Sequence, residues 1–144
     1  MINRMNHTGF VVKDLERSLE FYRDVVGMKL VRRIERTGSP ISQVVGYENC
    51  HLQIALVSAG DDGHMLELLQ YVQPPSADRP TEERSVIGGS HLAVEVDDIQ
   101  QTYQDLLYRG AQKLNPPVDV SPGRTACYLQ DPEGNWLELL QLDE

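Results

Sequence analysis

Two short segments of the chain alternate between polar and less polar side chains, and each begins with a histidine. In residues 7–12 and 91–96, every second side chain belongs to one less polar face that ends in a valine. This period of two predicts a strand in each segment. His7 and His91 are then expected on the opposite face of their strands.

Each predicted strand is followed by apolar residues at helical spacing. These residues are Leu15, Leu19, Tyr22 and Val26 in the first case and Ile99, Tyr103 and Leu106 in the second. Asp14 precedes the first run and Asp97 or Asp98 the second, and aspartate is a favoured helix N-cap. Gly27 and Gly110 stand where a C-terminal glycine would end each helix.

Strand-like runs follow each helix. They cover residues 29–33, 51–58 and 65–71 in the first half of the chain, and residues 111–115, 125–130 and 136–142 in the second. Residues 131–135 predict a tight turn, and residues 60–63 a looser one. The segment 40–46 is open between a helical turn and an additional strand. The predicted order of elements is β-α-β-β-β in both halves.

The same five residues, Leu-Glu-Leu-Leu-Gln, occur at 66–70 and again at 137–141. Together with the two equivalent histidines, this repetition indicates a duplicated module. We therefore expect an α+β fold of two tandem βαβββ modules, each a curved half-barrel sheet with its helix outside. The expected boundaries are residues 1–73 for the first module, 74–89 for a linker and 90–144 for the second.

Composition limits the possible partners. The 144 residues include 22 acidic and 13 basic side chains, for a formal net charge of −9. Such a surface repels phosphate backbones and anionic membranes, so we expect neither as a partner. Residues 1–12 show no secretion signal, and Cys50 and Cys127 match no metal-site spacing. A cytoplasmic protein with two reduced thiols is expected.

Four side chains are the candidates for chemistry. If Leu66, Leu68, Leu137 and Leu139 face the helices, then Glu67 and Glu138 share the opposite face with His7 and His91. A single histidine or glutamate on a strand is commonly structural, but an ionised carboxylate between leucines is costly unless it is paired or bound to a metal. The duplication of the His and Glu pair therefore favours a divalent-metal site.

Other polar residues are weaker candidates. His51 is interpreted as an ordinary strand residue and His64 as the exit of a turn. Cys127 is expected to be buried. Arg124, which follows Gly123 before a predicted strand, is a candidate contact for a substrate carboxylate.

The sequence resembles the vicinal oxygen chelate superfamily, which includes glyoxalase I, methylmalonyl-CoA epimerase, fosfomycin resistance proteins and extradiol dioxygenases. The residues that carry the resemblance are His7, 14–18, Phe21, Tyr22, 27–30, Glu67, His91, 131–135 and Glu138. The resemblance places the metal ligands on His7, Glu67, His91 and Glu138, the set found in bacterial glyoxalase I. It implies Zn, Ni, Co, Mn or Fe as the metal and a small molecule with adjacent oxygens as the substrate.

The activity that the resemblance implies is that of a lyase or isomerase. It moves a proton next to a carbonyl through a metal-bound enediolate, with Glu138 as the first choice of base and Glu67 as the alternate acid-base. Val11 and Tyr71 stand where small bacterial glyoxalases carry an arginine and an asparagine, which places glutathione itself in doubt. The alternatives are an Fe(II)-dependent ring-cleaving dioxygenase and a metal-free drug-binding resistance protein.

A homodimer is also expected. Each half-barrel has an apolar face that needs a partner, and related small proteins pair modules across a two-fold axis. The resemblance therefore implies that His7 and Glu67 of one chain meet His91 and Glu138 of the other, in two equivalent sites.

Overall fold

The computed structural model describes residues 1–60 and 63–143 of the chain. These residues form two compact units, Met1–Asp78 and Arg79–Glu144. The looser turn expected at 60–63 includes Asp61 and Asp62, which lie outside the described residues.

The first unit contains one mixed sheet. Its elements are β1 (His7–Val11), α1 (Leu15–Glu20), β2 (Lys29–Thr37), α2 (Ser39–Val45), β3 (His51–Ser58) and β4 (Met65–Gln73). The strand order is β1-β4-β3-β2, with β1 parallel to β4 and the other neighbours antiparallel. The segment 40–46 is therefore helical, and the parallel pairing aligns Gly9 on β1 with Glu67 on β4.

The second unit repeats this arrangement with an additional edge strand. Its elements are β5 (Leu92–Glu95), α3 (Ile99–Tyr108), β6 (Gln112–Lys113), β7 (Val118–Ser121), β8 (Arg124–Gln130) and β9 (Trp136–Leu142). The strand order is β5-β9-β8-β6, and β7 also pairs with β8. Ala93 on β5 aligns with Glu138 on β9, as Gly9 aligns with Glu67 in the first unit. The predicted α+β fold of two related modules is confirmed.

Capping residues begin α1 and α3 where the sequence predicts. The Asp14 side chain accepts a hydrogen bond from Arg17 N at 3.0 Å, and Asp98 accepts one from Gln101 N at 2.9 Å. Asp98, rather than Asp97, is thus the cap of α3. Gly110 follows α3 with a φ of 110°, a backbone conformation that favours glycine.

The helices cover one face of each sheet. Helix α1 packs on β3 and β4, and α3 packs on β9. On β9, Leu137 and Leu139 are almost fully buried. The alternation of a strand then places Glu138 on the face away from the helix, and the same argument applies to Glu67 between its leucines on β4.

The structure differs from the sequence prediction in the first helix. The predicted helix runs regularly as far as Val26, but α1 ends at Glu20 and a π-helical turn, Phe21–Val25, follows it. Val26 N donates to Phe21 O at 2.9 Å, one residue further back than in an α-helix.

The strand bounds also differ. Strand β2 extends four residues beyond the predicted run, β6 covers only two residues, and β7 was not predicted. The second histidine was expected to begin its strand, but β5 begins one residue after His91.

Residues expected in a linker make contacts in the second unit. Arg79 donates to Asn135 Oδ1 at 3.2 Å, and the Arg84 guanidinium lies 4.4 Å from the centre of the Trp136 ring. The expected boundaries at residues 74 and 89 stay a prediction. Throughout residues 1–60 and 63–143, no helix is long and apolar enough to cross a membrane.

Candidate functional site

A histidine and a glutamate meet on the open face of the first sheet. His7 begins β1 and Glu67 lies on β4, where the parallel register pairs Gly9, two residues after His7, with Glu67. His7 Nε2 is 3.5 Å from Glu67 Oε2, and the two side chains are 41% and 19% exposed. The contact is an ion pair when the imidazole is protonated and a pair of electron donors when it is neutral.

Asn6 orients the imidazole of His7. His7 Nδ1 lies 2.8 Å from Asn6 Oδ1. Because an amide oxygen only accepts hydrogen bonds, this contact assigns the ring proton to Nδ1. In the neutral ring, Nε2 then carries the lone pair that faces Glu67. A hydrogen bond to the second ring nitrogen is the usual way in which proteins orient a metal-binding histidine.

The second unit contains the equivalent pair. His91 Nε2 is 3.0 Å from Glu138 Oε2, with side-chain exposures of 42% and 16%. Both glutamates are therefore mostly buried, while both imidazoles stay accessible. Four of the side chains predicted from the sequence thus form two equivalent pairs, one in each unit.

Tyr128 lies beside the second pair and was not identified from the sequence. It lies on β8 opposite Glu138, and its hydroxyl is 3.2 Å from His91 Nε2. Burial raises the pKa of the Tyr128 hydroxyl, and the nearby charge of Glu138 raises it further. The hydroxyl therefore keeps its proton and is available as a donor.

The two pairs differ in their neighbours. Leu56 stands opposite Glu67 on β3, in the place that Tyr128 takes opposite Glu138. A Cβ added at Gly9 would lie 3.5 Å from Glu67 Oε2, an ordinary contact distance. The second unit thus has an extra hydroxyl beside its carboxylate, while the first has an apolar side chain there.

A cavity of about 720 Å³ lies beside Glu138 in the second unit. Its walls are mostly apolar, and its polar side chains include Glu138, Tyr128 and Arg124. A volume of this size is typical of sites that bind small molecules. Arg124, the candidate contact for a substrate carboxylate, lines the same cavity as the candidate base.

The remaining candidates are two histidines that contact residues outside the two pairs, and one buried cysteine. His51 Nε2 is 2.7 Å from Glu35 Oε1, and His64 Nε2 is 3.1 Å from Thr8 Oγ1. Cys127 is buried as predicted, and burial raises its pKa to about 11.

The two residues that bear on glutathione lie in different surroundings. Val11 is 49% exposed at the end of β1. Tyr71 packs edge-to-face against Tyr47, with the ring centres 5.7 Å apart. Burial raises the pKa of Tyr71. Neither side chain offers a positive charge to an anionic ligand.

The donor atoms of each pair suit a divalent metal. Two ligand atoms that each lie about 2.1 Å from one ion are separated by roughly 3.0–3.4 Å in octahedral and tetrahedral geometry. The observed separations of 3.5 and 3.0 Å are close to this range. In the described part of the chain, no group of three or more His, Cys, Asp or Glu side chains lies together. Each pair therefore supplies two donors.

Comparison with known proteins shows the relationships of the chain. Residues 4–139 match the Glyoxalase/Bleomycin resistance protein/Dioxygenase superfamily. An uncharacterized protein of Bacillus subtilis, YwbC, is 30% identical over 143 residues, covering 98% of this chain and 99% of that protein. The lactoylglutathione lyase of Neisseria meningitidis serogroup A is 31% identical over 143 residues, covering 96% of this chain and 90% of the lyase.

A solved structure shows the same fold. The crystal structure of a glyoxalase family protein from Bacillus cereus superposes with a TM-score of 0.91 at 24% sequence identity, covering 100% of this chain and 97% of the other. From the sequence match over residues 4–139, the chain belongs to the Glyoxalase/Bleomycin resistance protein/Dioxygenase superfamily.

Proposed function

We propose that the protein is a divalent-metal-dependent lyase or isomerase that moves a proton next to a carbonyl group. The observation that carries this proposal is the occurrence of the same histidine–glutamate contact in both units, at 3.5 Å in one and 3.0 Å in the other. A structural ion pair needs no second copy on the equivalent strands. A metal site that takes two nitrogen and two oxygen donors needs both copies of the histidine–glutamate pair.

The proposed ligands are His7, Glu67, His91 and Glu138. Two imidazoles and two carboxylates suit a borderline ion such as Zn, Ni, Co, Mn or Fe. The hydrogen bond that His7 Nδ1 donates to Asn6 Oδ1 supports this assignment because it leaves the lone pair of the neutral ring on Nε2, which faces the carboxylate. When bound, such an ion supplies a Lewis acid that stabilises negative charge on the carbonyl oxygen.

Glu138 is the proposed base. It is 16% exposed and lines the apolar cavity, so a substrate in that cavity would lie beside its carboxylate. In the proposed reaction, Glu138 Oε2 takes the proton from a carbon next to the carbonyl and returns it to the neighbouring carbon. Glu67, opposite Leu56, remains the alternate acid-base.

The substrate class is a small molecule with adjacent oxygens. The similarity to a lactoylglutathione lyase of Neisseria meningitidis supports lyase chemistry. Glutathione is not part of the proposed substrate class, because Val11 and Tyr71 stand where an arginine and an asparagine are expected to contact it.

The experiment that tests this function is solvent deuterium exchange. Protein loaded with Ni, Co, Mn or Zn is incubated in deuterium oxide with a panel of 2-oxoaldehydes, with and without glutathione, and the products are analysed by mass spectrometry. With the native protein we expect a 2-hydroxyacid from the hydrated aldehyde, or the corresponding thioester when glutathione is present, with deuterium on the carbon that bears the hydroxyl group. Glu138→Gln should lose both because it removes the base.

The control is Glu48→Gln. Glu48 is an exposed residue between α2 and β3 that is not among the proposed ligands, and the substitution makes the same change of charge. It should behave like the native protein. Absence of exchange and of product across the panel with every metal would contradict the proposed function.

A second candidate function is metal-independent binding of a small molecule, and the cavity beside Glu138 favours it. Sites that only bind need an apolar pocket with a few polar groups and no base. Binding that is unchanged by a chelator, without any exchange, would support this candidate over the enzyme.

A further inference from the structure

The cavity beside Glu138 has an apolar wall of its own. The wall consists of Leu114, Pro116, Val118, Val120 and Ala126. Val118 and Val120 are each 57% exposed on the edge strand β7, although valine is a residue that proteins usually bury. A ligand with an apolar body would cover these side chains and gain hydrophobic free energy from doing so.

Arg124 is the only positively charged side chain among the described residues that line this cavity. It begins β8 and lies on the same face as Ala126 and Tyr128, because side chains two apart on a strand share a face. Within the described residues, its guanidinium forms no ion pair. The group is therefore available to a ligand.

The spacing of residues along β8 indicates how long a ligand must be to reach from Arg124 to Glu138. Arg124 and Tyr128 are four residues apart on β8, so their Cα atoms are separated by about 13 Å. Tyr128 stands opposite Glu138 in the register of β8 and β9. Arg124 and Glu138 are thus attached about 13 Å apart along the strand direction, and both line the cavity together with the apolar wall.

Charge makes this arrangement selective. The chain carries a net charge of −9, so its general field repels anions. An anion that binds here needs a local cation. A guanidinium binds a carboxylate through two parallel hydrogen bonds, whereas an amide or an alcohol gains much less from it.

We propose that the cavity binds its small-molecule ligand as an amphipathic carboxylic acid. The carboxylate pairs with Arg124, and the apolar body lies along the wall formed by β7 and its neighbours. The other end of the molecule reaches Glu138. That this end carries the reacting carbon rests on the proposed function. The binding of the acid does not depend on that function.

The test is a calorimetric titration of the full chain with octanoate and with 1-octanol, in the presence of a chelator. The chelator removes any contribution of a metal to carboxylate binding, so the result does not depend on activity. We expect octanoate to bind to the native protein at millimolar concentration or below. 1-Octanol, which has the same apolar body without the charge, should bind at least about 10-fold more weakly, as expected for loss of a charge-assisted hydrogen bond.

Substitutions at Arg124 test the assignment. Arg124→Gln should weaken octanoate about 10-fold or more and leave 1-octanol unchanged. Arg124→Lys should give an intermediate affinity, since it keeps the charge but loses the two parallel bonds. The matched control is Arg32→Gln on β2, an exposed arginine of the first unit, which should bind octanoate like the native protein.

The outcomes are distinct from those of the deuterium experiment. Three results would each overturn the proposal. They are failure of octanoate to bind, equal affinity for octanoate and 1-octanol, and equal effects of Arg124→Gln and Arg32→Gln. Octanoate binding that depends on Arg124 in a protein that catalyses no exchange would keep this inference and reject the proposed function.

Discussion

The two histidines of the site are oriented by different neighbours. Asn6 accepts a hydrogen bond from His7 Nδ1 at 2.8 Å, whereas the Tyr128 hydroxyl lies 3.2 Å from His91 Nε2, the nitrogen that also faces Glu138. Asn6 contacts the ring nitrogen of His7 that does not face Glu67, whereas the Tyr128 hydroxyl is also 3.4 Å from His91 Nδ1 and so lies near both ring nitrogens. At the scale of the residue, the two imidazoles thus have different hydrogen-bond neighbours, although their contacts with the glutamates are equivalent.

Substitution of Asn6 should weaken metal binding without unfolding the protein. Asn6→Ala removes the acceptor for His7 Nδ1, and loss of such a partner lowers metal affinity about 10–100-fold. Asn6→Asp keeps an acceptor and should retain the affinity. Competition against a chromophoric chelator measures the effect. Asn3→Ala, an exposed change nearby, serves as the control, and an equal loss in both alanine variants would argue against an orienting role.

Cys127 should be a poor nucleophile in the folded protein. Burial raises its pKa to about 11, so at pH 8 only about one thiol in a thousand is ionised. We expect slow alkylation by iodoacetamide at pH 8, a rate that rises about 10-fold per pH unit toward pH 11, and rapid reaction in urea. Peptide mapping by mass spectrometry separates Cys127 from Cys50. Rapid labelling of the native protein at pH 8 would show that the thiol is not buried in solution.

At the scale of the element, two adjacent aspartates give a matched test of helix capping. Asp98 accepts the hydrogen bond from Gln101 N, and Asp97 makes no such contact among those described for α3. Asp98→Ala should lower the free energy of unfolding by about 1 kcal/mol. Asp97→Ala should change it by less than about 0.5 kcal/mol, as for an ordinary surface substitution. Urea denaturation followed by circular dichroism measures both, and equal effects would refute the assignment of the cap.

Elements with one buried face were predictable from the sequence, because burial imposes a period. β3 and β9 have the predicted bounds. Leu137 and Leu139 are buried two residues apart on β9, and Leu52 and Ile54 are buried with the same spacing on β3. β7 has no such signal. All four of its residues are exposed at an edge, and Pro116, Pro117 and Pro122 flank it. Its Val-Asp-Val-Ser sequence alternates, but a run of four exposed residues between prolines does not predict a strand. The cavity explains why valines occur there.

The residues of the candidate site that lie on periodic strands were predictable from the sequence, and their neighbours on other strands were not. The alternation on β4 and β9 determines the face of Glu67 and Glu138, and the repeat identifies their histidines. It does not determine which side chain of a neighbouring strand lies opposite. Tyr128 was missed for this reason, since its register with Glu138 depends on the turn between β8 and β9. The cavity depends on residues 114–121, where the sequence shows no strong pattern.

At the scale of the whole molecule, duplication gives each unit half of a proposed donor set. We propose that the protein is a homodimer in which His7 and Glu67 of one chain act with His91 and Glu138 of the other. In a mixed dimer of His7→Ala and Glu138→Ala chains, both substitutions then fall in one site and the other site is intact.

Subunit exchange tests this arrangement. The two inactive parents should recover about half of the native activity per dimer once a heterodimer has formed, as verified by native mass spectrometry. A matched mixture of His7→Ala and Glu67→Ala chains is the control. Both of these changes affect the same half of the donor set, so no site is intact and no activity should return. A verified heterodimer of the first kind that stays inactive would show that each site is built within one chain.

The central claim is that the two histidine–glutamate pairs bind a divalent metal. Its most direct measurement is the affinity of the purified protein for Zn, Ni, Co and Mn, by competition with a chelator, in the native chain and in His7→Ala, Glu67→Gln, His91→Ala and Glu138→Gln. We predict one ion per chain in the native protein. Each substitution should cause a loss of affinity greater than the 10–100-fold that is typical of an orienting partner. A native protein that binds no divalent metal, or four variants that bind it as the native protein does, would contradict the account.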